Sequence, residues 1–433
     1  FCQKTEKFIN CSVLKQSMED IFEEWNIYAS KRKLKPRDIS LSGIEKNSKL
    51  KIISIIGIRR SGKSSILTLL QQRLSKNSKA AYINLEDSRI KNNKDVLDNI
   101  LKWFSDSGFL LLDEITCVND WEGWLARNHE MLKGKLNIIT SSSRKSLVTP
   151  NKPLRGRMLA FELYPLSFKE FLEFKNIKLE KTTAGIGKIE KALEEYVIYG
   201  GFPEVALLED RTDKIKVINS YFKDIIGLDV SEISKENINV VEIFGKYVIE
   251  SAYFSASKCL NYLKTLGYRI GKQSILDLEK YAQISYLFFF IQIFSRNIRD
   301  RGQYPRKAYL GDTGFMNAIS GKRDMGRLYE NAVLLELKRK LNQNQEINYW
   351  KNLEGIECDF VIREGLKVKK SIQVVYDLAE KTKQRELKGI LECVKEFGLK
   401  QGLVITRDYE AEEKIQSKKI KFLPLWKWLL HSY

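Results

Sequence analysis

The stretch Lys51-Ile52-Ile53-Ser54-Ile55-Ile56-Gly57-Ile58-Arg59-Arg60-Ser61-Gly62-Lys63-Ser64-Ser65 decides the fold. Its first half is a short β-branched apolar run that stops at a glycine, the pattern of a strand buried on both faces of a parallel sheet. Its second half, Gly57 to Ser64, reads G-x4-G-K-S. Such glycines let backbone N–H groups wrap phosphates, and a helix N-terminus just beyond adds a potential that favours anions. Ile66, Leu67, Leu69 and Leu70 follow with helical spacing. Between a strand and a helix the motif stands in the setting where it works. The expectation is a nucleoside-triphosphate site built from Gly57, Ile58, Arg59, Arg60, Ser61, Gly62, Lys63, Ser64 and Ser65. Lys63 would reach the β- and γ-phosphates, and the Ser64 hydroxyl would bind Mg²⁺. A glycine-rich turn before an ordinary helix is the plainer alternative. The motif does not separate ATP from GTP.

Downstream, Ala80 to Leu85, Phe109 to Leu112 and Leu136 to Thr140 are further strand candidates separated by helical stretches. This alternation implies βαβ units and an α/β fold with a parallel sheet. The run Phe109-Leu110-Leu111-Leu112 ends in Asp113-Glu114, at the sheet edge where ligands sit in such folds. Asp113 would complete the magnesium shell, and Glu114 would polarise the attacking water. The strand at 136–140 leads into Ser141-Ser142-Ser143-Arg144, where Ser142 is a candidate for the γ-phosphate or the water; a plain turn explains it nearly as well. Arg157 could bring a cation to the transition state, in cis or toward a neighbouring subunit. A solvated surface arginine explains it equally.

The 433 residues are too many for one ordinary core, so several domains are expected. A formal net charge of +19 fits either a lysine-rich surface or a polyanion partner. Six scattered cysteines without a C-x-x-C pair, and only two histidines, support neither a disulfide framework nor a zinc site. The longest apolar run, Tyr286 to Phe294, is far short of the roughly 20 residues of a membrane span. The chain opens without a signal peptide, so a soluble cytoplasmic protein is expected.

Taken together, G-I-R-R-S-G-K-S, L-L-L-D-E-I with Trp121, I-T-S-S-S, and L-R-G-R with P-L-S-F-K-E-F-L resemble a family of prokaryotic AAA-type ATPases. The likeness continues through G-G-F-P-E-V (200–205), Y-L-G-D-T-G-F (309–315), G-R-L-Y-E-N-A-V-L-L-E-L (326–337), E-C-D-F-V-I (357–362) and P-L-W-K-W-L-L (424–430). The resemblance implies an ATPase core followed by a winged helix and a terminus like restriction endonucleases. The expected division is an N-terminal helical segment at 1–50, the core at 51–165, a helical lid at 166–235, a winged-helix-like unit at 236–324, and an endonuclease-like unit at 325–433.

Read without the resemblance, Ser255 to Gln283 is a helix-turn-helix candidate followed by a β-prone stretch, decorated by Lys258, Lys264, Arg269, Lys272 and Lys280. These cations suit phosphate contacts; two packed helices with ordinary lysines is the alternative. In the terminal unit Glu330 and Asp359 fit the first two acid positions of a metal-dependent nuclease. The third position holds Gln373, and Val375 stands where a lysine should be. A hydrophobic residue cannot replace a cation near phosphate, so a catalytically dead nuclease fold is expected. The overall expectation is an ATPase using Mg²⁺ and ATP as a DNA-associated switch, and a homo-oligomer if Arg157 acts in trans. The rival is a signalling or scaffolding switch that grips a protein partner, and the weaker third reading is an active ATP-dependent nuclease.

Overall fold

The computed structural model describes residues 17–143, 154–378 and 380–430. Cys2, Cys11, Arg144 and His431 fall outside the described residues. Five strands, β1 (Ile52–Ile56), β2 (Ala80–Asn84), β3 (Gly108–Asp113), β4 (Leu136–Ser142) and β5 (Met158–Glu162), form a sheet of order β2-β3-β4-β1-β5. Every neighbouring pair is parallel. β1 is buried along its whole length, as its apolar run requires. β5 was not among the strand candidates. It is an edge strand whose residues stay partly exposed, so it lacks the apolar run that marks the central strands. Because the sheet is parallel, the ends of β1, β3 and β4 open on one edge.

Residues 17–50 form two helices joined by a connector. Met18–Lys31 starts with a capping box between Ser17 and Asp20. Leu41–Ser48 follows, capped by Ser40 and anchored by the buried Ile44. Trp25 of the first helix packs on Tyr82 of β2, ring to ring at 6.3 Å.

Beyond β5 the chain is helical: Phe168–Phe174, Thr183–Tyr199, Pro203–Leu207, Arg211–Asp224, and a π-helical turn at Ile225–Ser231. The break at Gly200 has a positional cause. Its φ is +80°, and a Cβ there would lie 1.6 Å from Oδ1 of Asp312. The Asp312 carboxylate accepts the N–H of Gly201 at 2.8 Å and of Gly314 at 2.9 Å. The G-G-F-P and G-D-T-G motifs therefore meet as one buckle. Burial pushes the Asp312 carboxyl up to about 6, against those two hydrogen bonds.

Helices Ile238–Glu250, Ala256–Thr265 and Lys272–Ile284 come next, with a small antiparallel sheet. Its strands, β6 (Tyr253–Phe254), β7 (Phe288–Ile291) and β8 (Arg306–Leu310), lie in the order β6-β8-β7. After helix Met325–Lys340, a second large sheet holds β9 (Gln345–Lys351), β10 (Glu357–Glu364), β11 (Lys367–Val375), β12 (Gln401–Thr406), β13 (Ala411–Ile415) and β14 (Lys418–Pro424). Its order is β13-β14-β12-β11-β10-β9, with mixed directions. Thus the fold is mixed α/β, with a parallel five-stranded sheet and a separate mixed sheet near the C-terminus.

One apolar cluster runs from Ile21 to Leu429, so these parts share a core. Arg339 of the helix Met325–Lys340 donates to the carbonyls of Pro165 and Leu166, just past β5. Among the described residues no helix is long and apolar enough to cross a membrane.

Candidate nucleotide site

The turn after β1 is shaped by its backbone. Gly62 caps the helix Lys63–Leu74 at φ +101°, a left-handed conformation that glycine adopts without a steric cost. Lys63, the first helical residue, is 4% exposed. Its ammonium donates to the carbonyls of Gly57 at 3.1 Å and Ile58 at 3.2 Å, and lies 3.6 Å from Glu114. The Ser61 hydroxyl is buried with no hydrogen-bond partner. An orphaned buried hydroxyl in this loop fits an anionic oxygen. Above the loop lies a cleft of about 880 Å³ lined by Gly62, Lys63, Ser64, Ser65, Asp113 and Glu114. That is a common size for a small-molecule pocket.

Asp113 ends β3 and is almost fully buried. Tyr82 donates to its Oδ2 at 2.7 Å, and the Ser141 hydroxyl donates to its Oδ1. Each carboxylate oxygen keeps a lone pair for a cation, so Asp113 and the half-buried Ser64 fit a Mg²⁺ shell chemically. Glu114 takes a left-handed conformation, φ +51°. Its N–H donates to Ser141 Oγ at 2.9 Å, and its Oε2 accepts the Ser143 N–H at 3.1 Å. Burial pushes the Glu114 carboxyl above the ordinary range; Lys63 opposes this and Asp113 adds to it.

The serines at the end of β4 divide by strand alternation. Ser141 serves Asp113, and Ser143 serves Glu114 and Asp229. Ser142, the residue singled out from sequence, pairs its hydroxyl with Thr116 at 3.1 Å. Arg157, the cation candidate from sequence, sits beside the start of β1. Its carbonyl accepts the N–H of Ile52, at the start of β1, and its guanidinium pairs with Glu130 at 3.3 Å. The loop leaves the other end of β1, about 16 Å away at the rise of a strand.

The sequence did not reveal what the loop arginines hold. Arg59 makes a two-pronged pair with Asp229 of the π-helical turn, at 3.0 and 3.1 Å, and reaches Glu86 at 3.3 Å. Asp229 is fully buried and also accepts the Ser143 hydroxyl at 3.0 Å. Arg60 stacks over Tyr221 at 5.4 Å and lies 3.8 Å from Asp224. Arg37, from the N-terminal connector, donates to the Ser61 carbonyl at 2.7 Å, to the Tyr164 carbonyl and to Glu170. Trp25, Tyr28 and Leu34 line the same cleft, giving it an apolar and aromatic wall.

A second polar cluster lies between the three-stranded and six-stranded sheets. Glu330, Asp359 and Gln373, the candidates from sequence, do meet. Gln373 Oε1 accepts the Asp359 N–H at 3.1 Å. What the sequence missed is Lys307 of β8, whose ammonium lies 2.9 Å from Glu330, 2.8 Å from Asp359 and 2.8 Å from Glu357. Glu357 was legible, since it is two residues before Asp359 on one strand and shares its face. Lys307, 52 positions from Asp359, was not.

An AAA domain family matches residues 49–172, and two families described as domains of unknown function, DUF8612 and DUF4143, match 190–326 and 325–428. The uncharacterized protein MJ1544 of Methanocaldococcus jannaschii is 33% identical over 367 residues, covering 81% of each chain. An uncharacterized protein of Haemophilus influenzae is 25% identical over 334 residues, covering 73% of this chain and 77% of that one. Among solved structures, AMPPCP-bound DnaA from Aquifex aeolicus aligns with 62% of this chain and 92% of that chain at 14% identity; its TM-score of 0.28 is too low to say anything of function.

Proposed function

The chain belongs to the same family as MJ1544 of Methanocaldococcus jannaschii and carries an AAA domain, and we propose that it binds and hydrolyses Mg-ATP in the cleft above the five-stranded sheet. One observation carries the reading. A buried lysine at the start of a helix lies 3.6 Å from Glu114 just past β3, with Asp113 lining the same cleft and the buried Ser61 hydroxyl lacking a partner. The loop amides and Lys63 hold the phosphates, and the wall of Trp25, Tyr28 and Leu34 takes the base. Ser64 and Asp113 would hold Mg²⁺, which when bound neutralises developing charge on the phosphate oxygens. Glu114 draws the proton of the attacking water, its carboxylate fixed by the Ser143 amide and Lys63. Calorimetry tests this: wild-type protein gives a heat of association with Mg-ATP, and Lys63→Ala gives none. Equal heats would overturn the site.

Turnover serves as a switch on this reading. Both loop arginines grip the segment 211–231, so a shift of the loop on phosphate binding pulls that segment with it. Hydrogen exchange at 211–231 should change on adding a slowly hydrolysed ATP analogue, and Asp229→Ala should blunt the change. Arg157 is left a role toward a neighbouring subunit. Mixing Arg157→Ala with Lys63→Ala protein should then restore activity, and no rescue removes that role.

The switch is read as acting on DNA. Lys258, Lys264, Arg269, Lys272 and Lys280 are all exposed on the helix pair 256–284, and no ion pair among the described residues uses them. A winged-helix reading of that unit, and an inactive endonuclease-like reading of 325–433, accompany this proposal. Duplex DNA should bind with an affinity that falls steeply with salt, more shallowly after Lys258→Glu and Lys272→Glu. A flat salt response sinks the DNA reading and leaves the protein-partner one.

A further inference from the structure

Lys307 lies within ion-pair distance of three carboxylates at once. Glu330 comes from the helix Met325–Lys340, Glu357 and Asp359 from β10, and Lys307 itself from β8 of another sheet. Its ammonium donates to Glu330 at 2.9 Å and to Asp359 at 2.8 Å, and lies 2.8 Å from Glu357. The surrounding oxygens are engaged too. Tyr309 donates to Glu330, Tyr253 donates to Glu357, and the Val374 N–H donates to Asp359 Oδ2 at 2.9 Å. Lys307 is 6% exposed, at the wall of a cavity of about 220 Å³. Three carboxylates converging on one point is what hard-cation chemistry requires; here the point is filled from within the chain.

We infer that the Lys307 ammonium is the resident cation of this pocket, standing where three carboxylates would otherwise close on a divalent, oxygen-preferring metal. The inference is independent of nucleotide binding. The spacing agrees with it. Oxygens at 2.8–2.9 Å suit a nitrogen, whereas Mg²⁺ needs about 2.0–2.1 Å and Ca²⁺ about 2.3–2.6 Å. Among the described residues no group of acids, histidines or cysteines is arranged to hold a metal as it stands. The larger Ca²⁺ requires the smaller contraction once the lysine is gone. Filling the point with a tethered lysine also joins β8 to β10 without any diffusible ion.

Terbium(III), a luminescent stand-in for Ca²⁺, tests the inference, because Tyr253 and Tyr309 adjoin the pocket and can sensitise it. Full-length Lys307→Ala should gain tyrosine-sensitised emission that Ca²⁺ competes away and that Asp359→Asn, added to it, abolishes. Wild-type protein should give no emission dependent on Asp359. Lys307→Gln serves beside Lys307→Ala should the latter fail to fold, with Mg-ATP association as the folding control. A folded Lys307 variant that gains no site overturns the inference, and so does an Asp359-dependent signal in wild type. The wild-type titration reads out whether or not the variants fold, and an Asp359-dependent signal there overturns the inference.

Discussion

Lys63 and Lys307 are both nearly buried and both face carboxylates, yet their surroundings differ. Lys63 is held by two backbone carbonyls, with Glu114 at 3.6 Å, and it opens on a cleft of about 880 Å³. Lys307 donates to two carboxylates and lies 2.8 Å from a third, beside a cavity of about 220 Å³. A buried cation whose partners are weak and displaceable is available to a ligand. One ringed by three charges is committed to the fold, because removing it leaves buried anions unpaired. The number and charge of the partners separate a binding group from a structural one.

Substitution should break this comparison most sharply at Lys307. Lys307→Met is expected to cost about 3–5 kcal/mol in urea unfolding, the scale for breaking a buried ion pair. Lys63→Met should cost far less stability while removing Mg-ATP association; equal losses of stability would mean that the two lysines play one role.

Next in size is Glu114→Gln, which should lower the turnover number by about 10²–10⁴-fold, the usual contribution of a general base, while Mg-ATP still binds. Glu114 must be ionised to act, and burial pushes its carboxyl up. Activity should therefore fall on acidification above the ordinary carboxylate range, and a pH–rate profile checks the direction.

The Arg59–Asp229 pair sharpens the link between the cleft and the segment 211–231. A double-mutant cycle with Arg59→Ala and Asp229→Ala should give a coupling of about 1–3 kcal/mol in stability. A value near zero would detach the loop from that segment.

The smallest effect belongs to Asp312, whose carboxyl is raised to about 6 from an ordinary 3.8. Between roughly pH 4 and 6 the unfolded chain has released this proton and the folded chain still holds it. Stability from this group is thus full at low pH and falls as pH rises through that window, by at most about 1.4 kcal/mol per pH unit. Urea midpoints at pH 4.5 and 6.5 should differ less in Asp312→Asn than in wild type.

Where one strand and one turn carry the information, the residues disclose it. Ile52 to Ser64 could be read because a fully buried parallel strand is uniformly apolar and a phosphate-binding turn needs glycine at fixed places. Asp113 and Glu114 followed, since an apolar run ending in acids has a definite position in such a sheet. β5 escaped because an edge strand needs no such run. The sequence does not disclose which face of β4 meets the acids; in the fold Ser141 and Ser143 contact Asp113 and Glu114, while Ser142 pairs with Thr116.

Local pattern by itself thus determined the α/β class, the phosphate loop and the carboxylates beside it, since each depends on residues within a few positions of one another. Only the tertiary structure decided the partners of isolated charges. Arg59 meets Asp229 across 170 positions and Lys307 meets Asp359 across 52. A desolvated charge must find its counter-charge in space, and the path of the chain, which no short stretch encodes, fixes which one is within reach.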